Sequence, residues 1–230
     1  MIRLPGPRPH AVLIDLDGTL LDTAADLAAA VNAMRDEFDR PPLPEATVAA
    51  YVGKGAEVLV HRSLGGGLDA RVDAALLARG LEAFGRHYRR TNGQRARIYP
   101  GVREGLDAMR AAGLALACVT NKPQEFADAL LRHTGLHQDF ALVLGGDALP
   151  RRKPDPLPML HAARVLGVTA ARTVAIGDSV NDALAARAAG MTVLAVPYGY
   201  NEGRDVATLD VDAVVDSLLE AAALIARALT

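Results

Sequence analysis

The chain has 230 residues, half of them hydrophobic, a length that suits one large domain or a domain carrying an insert. A formal net charge of −2 gives no reason to expect nucleic acid or an anionic membrane surface as a partner, and no run approaches the roughly 18 uninterrupted apolar residues of a membrane span. Cys118 is the only cysteine, which excludes an intrachain disulfide framework and a cysteine-based zinc cluster; with no apolar secretory stretch at its start, the chain reads as cytoplasmic.

Residues 11–14 form a continuous apolar run, as expected of a strand covered on both faces of a parallel sheet. Asp15 and Asp17 continue it where burial would ask for Val or Ile. Side chains two apart on a strand share a face, so both carboxylates are expected to project together from the carboxyl end of the strand, with Leu16 pointing the other way, where open α/β sheets bind ligands. Two such charges roughly 4 Å apart repel by about 4 kcal/mol at an effective dielectric of about 20. Either one acid holds a proton or a cation balances the pair, and a hard, oxygen-seeking ion such as Mg²⁺ meets that need. Taken alone, Asp-x-Asp also fits a strand-end turn in which the acids accept from backbone amides.

From residue 23 to 97 the pattern is helical, at 24–38, 45–51, 56–64 and 70–90, without a convincing strand. Pro41, Pro42 and Pro44 separate the first two helices, and Gly65, Gly66 and Gly67 the last two. Beyond Tyr99 and Pro100, helices at 101–112, 123–132, 156–166, 181–189 and 214–228 alternate with strands at 114–119, 140–144, 173–176 and 192–196. That alternation predicts right-handed βαβ units and a parallel sheet. The expected fold is therefore α/β, a Rossmann-like parallel sheet core (residues 1–22 and 98–230) with an inserted all-helical cap subdomain (residues 23–97) over the carboxyl edge of the sheet. Cys118 falls inside an apolar strand and reads as a core residue.

Only Lys54, Lys122 and Lys153 are lysines among 25 basic residues, so each invites a reason for a compact ammonium. Lys153 precedes the helix at 156–166. Thr120 and Asn121 follow the strand at 114–119, where they can hold an anion or cap the next helix. Asp178 and Asp182 stand one helical turn apart after the strand at 173–176, with Ser179 at a capping position between them.

The run from Asp15 to Asp22, with Thr120-Asn121, Lys153-Pro154 and Gly177 to Asp182 in that order, resembles the motif set of the haloacid dehalogenase-like superfamily, most of whose members are phosphatases. The resemblance implies an aspartyl-phosphate formed on Asp15 and a proton donor and acceptor in Asp17. It implies phosphate contacts from Thr120, Asn121 and Lys153, and Mg²⁺ held by Asp15, the backbone carbonyl of Asp17, and Asp178. Asp182 would orient Lys153 or a metal-bound water, and Thr19 would support the site. Such chemistry demands this set, because a dianionic phosphoryl group repels a carboxylate nucleophile unless positive charge and in-line positioning offset the repulsion. Asp17 separates the chain from relatives that cleave carbon–phosphorus bonds, which resemble this pattern with Ala there.

Residues 51–55, 99–102, 120–123 and 198–201 resemble the phosphoglycolate phosphatase branch, which implies 2-phosphoglycolate as the first substrate to test. Sugar-phosphate phosphatases, pyrophosphatases and phosphosugar mutases share much of this background, and a non-catalytic sensor of a phosphorylated ligand is the alternative outside enzymes. In the cap, Lys54 and Arg62 are candidates for substrate contact or exposed surface cations. Lys54 stands where the branch more often carries Asn.

Overall fold

The computed structural model describes residues 4–229; of the expected core segments, residues 1–3 and 230 lie outside the described residues. Six parallel strands form the main sheet: β1 (Ala11–Ile14), β4 (Ala115–Val119), β5 (Leu142–Leu144), β6 (Thr173–Gly177), β7 (Thr192–Ala195) and β8 (Ala213–Val214), in the spatial order β5-β4-β1-β6-β7-β8. The all-apolar β1 occupies the middle and pairs on both sides, in register Ile14 to Cys118 and Ile14 to Ile176. Its residues divide between the two faces: Val12 and Ile14 join one core, and Leu13 joins the other. A strand buried on both faces has no polar side, which is why its sequence shows no alternation.

Helices α5 (Val102–Ala111), α6 (Gln124–Thr134) and α9 (Leu218–Arg227) contribute to the first core, and α7 (Leu157–Val165) and α8 (Val180–Ala188) to the second. Cys118 is fully buried in the first, as its apolar setting predicts. The last helix starts four residues later than expected. Residues 213–214 instead add an edge strand beside β7, and the Ser217 side chain caps α9 by accepting from the Glu220 N–H.

Between β1 and α5 the chain forms α1 (Ala24–Asp36), α2 (Glu45–Tyr51), α3 (Ala56–Gly65) and α4 (Ala74–Thr91). Helix α4 begins at residue 74 rather than 70 because Asp73 takes the cap position, accepting from the Leu76 N–H at 2.8 Å. These helices enclose their own core of Val31, Met34, Val60, Phe84 and Tyr88, which Phe126 of α6 enters from below. Tyr88 lies between two rings, stacked on Phe84 at 5.2 Å and edge-on to Phe126 at 4.8 Å.

The chain enters and leaves this helical block through a ribbon absent from the sequence reading, β2 (Leu21–Asp22) antiparallel to β3 (Arg97–Ile98). Two-residue strands are too short to show alternation. Beside the ribbon, the buried Asp26 carboxylate accepts from the N–H groups of Gly93, Arg95 and Ala96 at 2.8, 2.8 and 3.2 Å, fixing the returning segment. Among the described residues no helix is long and apolar enough to cross a membrane.

Candidate active site

Regular pairing of β1 ends at Ile14, although the Asp15 N–H still donates to the Ile176 carbonyl at 3.0 Å. The Leu16 carbonyl then accepts from the N–H groups of Thr19, Leu20 and Leu21 in a tight turn, and Leu16 itself is fully buried. Asp15 and Asp17 both line one cavity between the sheet edge and the helical block. The turn passes Gly18 at φ +87°, where a Cβ would strike the Asp178 carboxylate; Gly199 closes on the same side chain from the other direction. Glycine is required at both places by close approach, and at Gly18 by backbone sign as well.

Lys153 is buried behind Asp15. Its ammonium lies 2.9 Å from Asp15 Oδ1 and 2.6 Å from Asp182 Oδ1, and donates to the Val119 carbonyl at 2.7 Å. Asp182 uses its other oxygen to accept from the Ser179 hydroxyl at 2.6 Å and the Ser179 N–H at 3.2 Å, a capping box at the start of α8. Ser179 therefore has the capping role its position suggests. Asp178 accepts from the Thr19 hydroxyl at 3.2 Å and from the Tyr200 N–H.

Carboxylate oxygens of Asp15, Asp178 and Asp182 lie within 4.8 Å of one another. Three carboxylates against the single charge of Lys153 leave an excess of two negative charges in a buried space. Burial, followed by the neighbouring Asp182, pushes the Asp15 carboxyl up to about 6 even though Lys153 pulls it down. Asp178 is raised for the same reasons, burial first and then Asp182 and Asp15. Burial alone would lower Lys153, yet Asp15 and Asp182 hold it above the ordinary lysine range. An all-oxygen donor set with two uncompensated charges fits one hard divalent cation.

Asp17 belongs to a second network. It accepts from the Thr23 hydroxyl at 2.7 Å and pairs with the Lys122 ammonium at 2.9 and 3.2 Å. Lys122, itself buried, also donates to the Tyr88 hydroxyl at 2.5 Å and sits 4.7 Å from the centre of that ring. The sequence signals for Lys122 were the scarcity of lysine and its place in the 120–123 stretch, neither of which assigned it a role. Nothing distinguished Tyr88 from an ordinary apolar-face residue of α4.

Thr120 is buried at the end of β4. Its hydroxyl accepts from the Lys122 N–H at 3.2 Å and keeps its own proton to donate. It does not cap α6, whose first N–H, at Gln124, goes to Asp147 at 2.8 Å. Asn121 ties three segments together: its Nδ2 donates to the Gly53 carbonyl of the helical block and the Lys153 carbonyl of the core, each at 2.9 Å. Its Oδ1 is buried without a partner.

The structure does not bring Lys54 and Arg62 to Asp15. Both engage Glu202 of the loop after β7, Lys54 at 2.7 Å and Arg62 at 2.6 Å. Arg62 is further occupied by the carbonyls of Leu68 at 2.8 Å and Tyr51 at 3.0 Å. In the same loop, the Tyr200 hydroxyl accepts from the N–H groups of Thr23 and Ala24 at 2.8 and 3.0 Å and donates to Asp22 at 2.5 Å, bracing the entry ribbon.

Comparison with known proteins agrees with this architecture. The family model of haloacid dehalogenase-like hydrolases matches residues 9–190. A protein of Nitrosospira multiformis named phosphoglycolate phosphatase is 54% identical over 217 residues, covering 94% of this chain and 96% of that protein. One of the same name from Thiobacillus denitrificans is 52% identical over 218 residues, covering 95% and 96%. Among solved structures, a predicted phosphoglycolate phosphatase of Haemophilus somnus superposes with a TM-score of 0.87 at 31% identity, covering 93% of this chain and 96% of that one. The chain belongs to the haloacid dehalogenase-like hydrolase family.

Proposed function

We propose that this chain is a Mg²⁺-dependent phosphatase that hydrolyses a small phosphomonoester, 2-phosphoglycolate first, through an aspartyl-phosphate on Asp15. The observation that carries this reading is the Asp15 carboxylate, paired with the buried Lys153 and lining one cavity with Asp17 and Thr120. Relatives at 54% and 52% identity that bear the phosphoglycolate phosphatase name support the substrate.

An Asp15 oxygen attacks phosphorus as the bond to the leaving oxygen breaks, and Asp17 gives that oxygen its proton. Asp17 then takes a proton from the water that attacks phosphorus, which releases inorganic phosphate and restores Asp15. Proton transfer of this kind is worth about 10² to 10⁴-fold in rate. Asp15, Asp178 and the Asp17 backbone carbonyl would hold the cation, with Asp182 kept back by Lys153 and Ser179. When bound, Mg²⁺ supplies the positive charge that lets an anionic nucleophile approach a phosphoryl dianion. Lys153 neutralises Asp15 from behind, and the Thr120 hydroxyl donates to a phosphoryl oxygen beside the Asn121 backbone. Thr19 fixes the Asp178 carboxylate. In this reading residues 23–97 act as a cap whose contacts at Gly53 and Glu202 close the site against water.

The test is phosphate release over a panel of 2-phosphoglycolate, sugar phosphates and pyrophosphate, with Mg²⁺ and with chelator. The expected result is Mg²⁺-dependent release with the highest kcat/KM on 2-phosphoglycolate. Equal or greater turnover of sugar phosphates would remove the substrate assignment, and an isomer as product in place of free phosphate would identify a mutase.

A further inference from the structure

We propose that Lys122 is the specificity-determining residue of this site, binding the carboxylate of the substrate through the same ammonium that otherwise pairs with Asp17. The inference rests on the phosphatase reading above and adds to it the group that selects the organic half of the substrate.

Among the described residues that line the cavity, Lys122 is the one cation. The wall from the helical block is apolar, with Leu27, Val52, Leu59 and Phe84, and its only side-chain polar group is the Tyr88 hydroxyl. Of the other cations near the sheet edge, Arg152 lies against Gly55 outside the lining and pairs with Glu57 at 3.4 Å. Lys153 faces Asp15, Asp182 and the Val119 carbonyl. Lys54 and Arg62 converge on Glu202. Within the lining of the cavity, the positive charge available to a second anion beyond the phosphoryl group is therefore that of Lys122.

The geometry suits an exchangeable partner. Lys122 contacts both oxygens of Asp17 unequally, at 2.9 and 3.2 Å, while the Tyr88 hydroxyl also accepts from the ammonium at 2.5 Å. An incoming carboxylate takes the place of the longer contact, and the ammonium stays charge-balanced throughout. Asp17 keeps the Thr23 hydroxyl at 2.7 Å, so it remains oriented as Lys122 turns to the substrate. An uncharged substrate arm offers Lys122 nothing in exchange for Asp17 and leaves the two locked together. Apolar walls add no hydrogen bonds that would favour a longer hydroxylated arm. The recognised class is thus a short phosphoester bearing a carboxylate.

Kinetics of the Mg²⁺-loaded wild type, Lys122→Met, Lys122→Gln and Lys122→Arg on 2-phosphoglycolate and on 2-hydroxyethyl phosphate test the assignment. The second substrate keeps the skeleton and replaces the carboxylate by a hydroxymethyl group. A lost charge-assisted contact predicts that Lys122→Met lowers kcat/KM on 2-phosphoglycolate about 10- to 100-fold more than on the uncharged analogue. The extra loss should appear in KM, and Lys122→Arg should restore part of it. Lys122→Gln, uncharged and one bond shorter but still carrying a polar donor, carries the same comparison should the Met variant fail to fold. Variants that lose both substrates in equal proportion, with the loss in kcat, would overturn the assignment and leave Lys122 as a positioning residue for Asp17. That outcome is distinct from failure of the phosphatase reading, in which the wild type itself would show no preference for 2-phosphoglycolate and the Lys122 assignment would fall with it.

Discussion

The Lys153 ammonium lies 2.6 Å from Asp182 Oδ1, closer than its 2.9 Å approach to Asp15. One buried cation thus divides its charge between two carboxylates, and Asp178 beside them has hydrogen-bond donors but, among the described residues, no cationic partner within ion-pair distance. The arrangement leaves negative charge that a proton or a further cation relieves.

Mg²⁺ should therefore stabilise the fold as well as support turnover. At a concentration about 100 times its Kd, a ligand bound only by the native state adds about 2.7 kcal/mol. Urea midpoints with Mg²⁺ and with chelator measure this directly. In Asp178→Asn the Mg²⁺-induced shift should nearly vanish, while stability in chelator stays equal or rises because a buried charge has gone. A Mg²⁺ shift of wild-type size in that variant would exclude Asp178 as a ligand.

Asp15→Asn removes the nucleophile and should reduce phosphate release by at least about 10⁴-fold, the scale of losing a group that forms the covalent intermediate. Asp17→Asn should slow turnover by about 10² to 10⁴-fold with substrate binding retained. Single-turnover phosphate release separates the two. Full activity in Asp15→Asn would end the aspartyl-phosphate mechanism, and an unchanged rate in Asp17→Asn would end its acid-base role.

Arg62 and Lys54 reach the same Glu202 oxygen, yet their loss should cost different amounts. Arg62 is buried and also satisfies the Tyr51 and Leu68 carbonyls, so Arg62→Met should destabilise by about 3 kcal/mol. The Lys54 side chain is 36% exposed, and Lys54→Met should cost no more than about 1 kcal/mol. Equal costs in chemical denaturation would contradict this division.

Glu202 also predicts a pH dependence. Burial pushes its carboxyl up, but Lys54 and Arg62 together hold it below the usual glutamate range, with Arg204 at 3.6 Å the remaining cation nearby. A depressed folded-state value means that the unfolded chain binds more protons, so this contribution is complete above the ordinary glutamate pKa of about 4.3. It is lost as pH falls through the lower folded-state value. Glu202→Gln should be less stable than wild type at neutral pH, and the difference should shrink on acidification below about pH 4. A difference that does not change with pH would show that Glu202 acts through packing alone.

Much of the core was legible because its elements are long or uniformly apolar. The strands from residues 11, 115 and 173 appear where their apolar runs lie, and the helical block between residues 24 and 91 appears where strand patterning fails. The errors have local causes. Asp73 and Ser217 set helix starts by capping, and the β2–β3 ribbon is too brief to carry a period. Asp15 and Asp17 both line one cavity, and the turn that follows them, closed on the Leu16 carbonyl, is too short to carry a period.

By itself the sequence determined that carboxylates, a lysine and hydroxyls stand at the ends of successive strands, because strand ends are encoded by local hydrophobic patterning. Only the tertiary structure decided which charges meet. Asp17 with Lys122, 105 positions apart, Lys54 and Arg62 with Glu202, and Asn121 with Gly53 are pairings across separate elements. A charge in sequence carries no label for its partner: partners are chosen by which side chains remain near one another once apolar burial has set the positions of the helices and sheet.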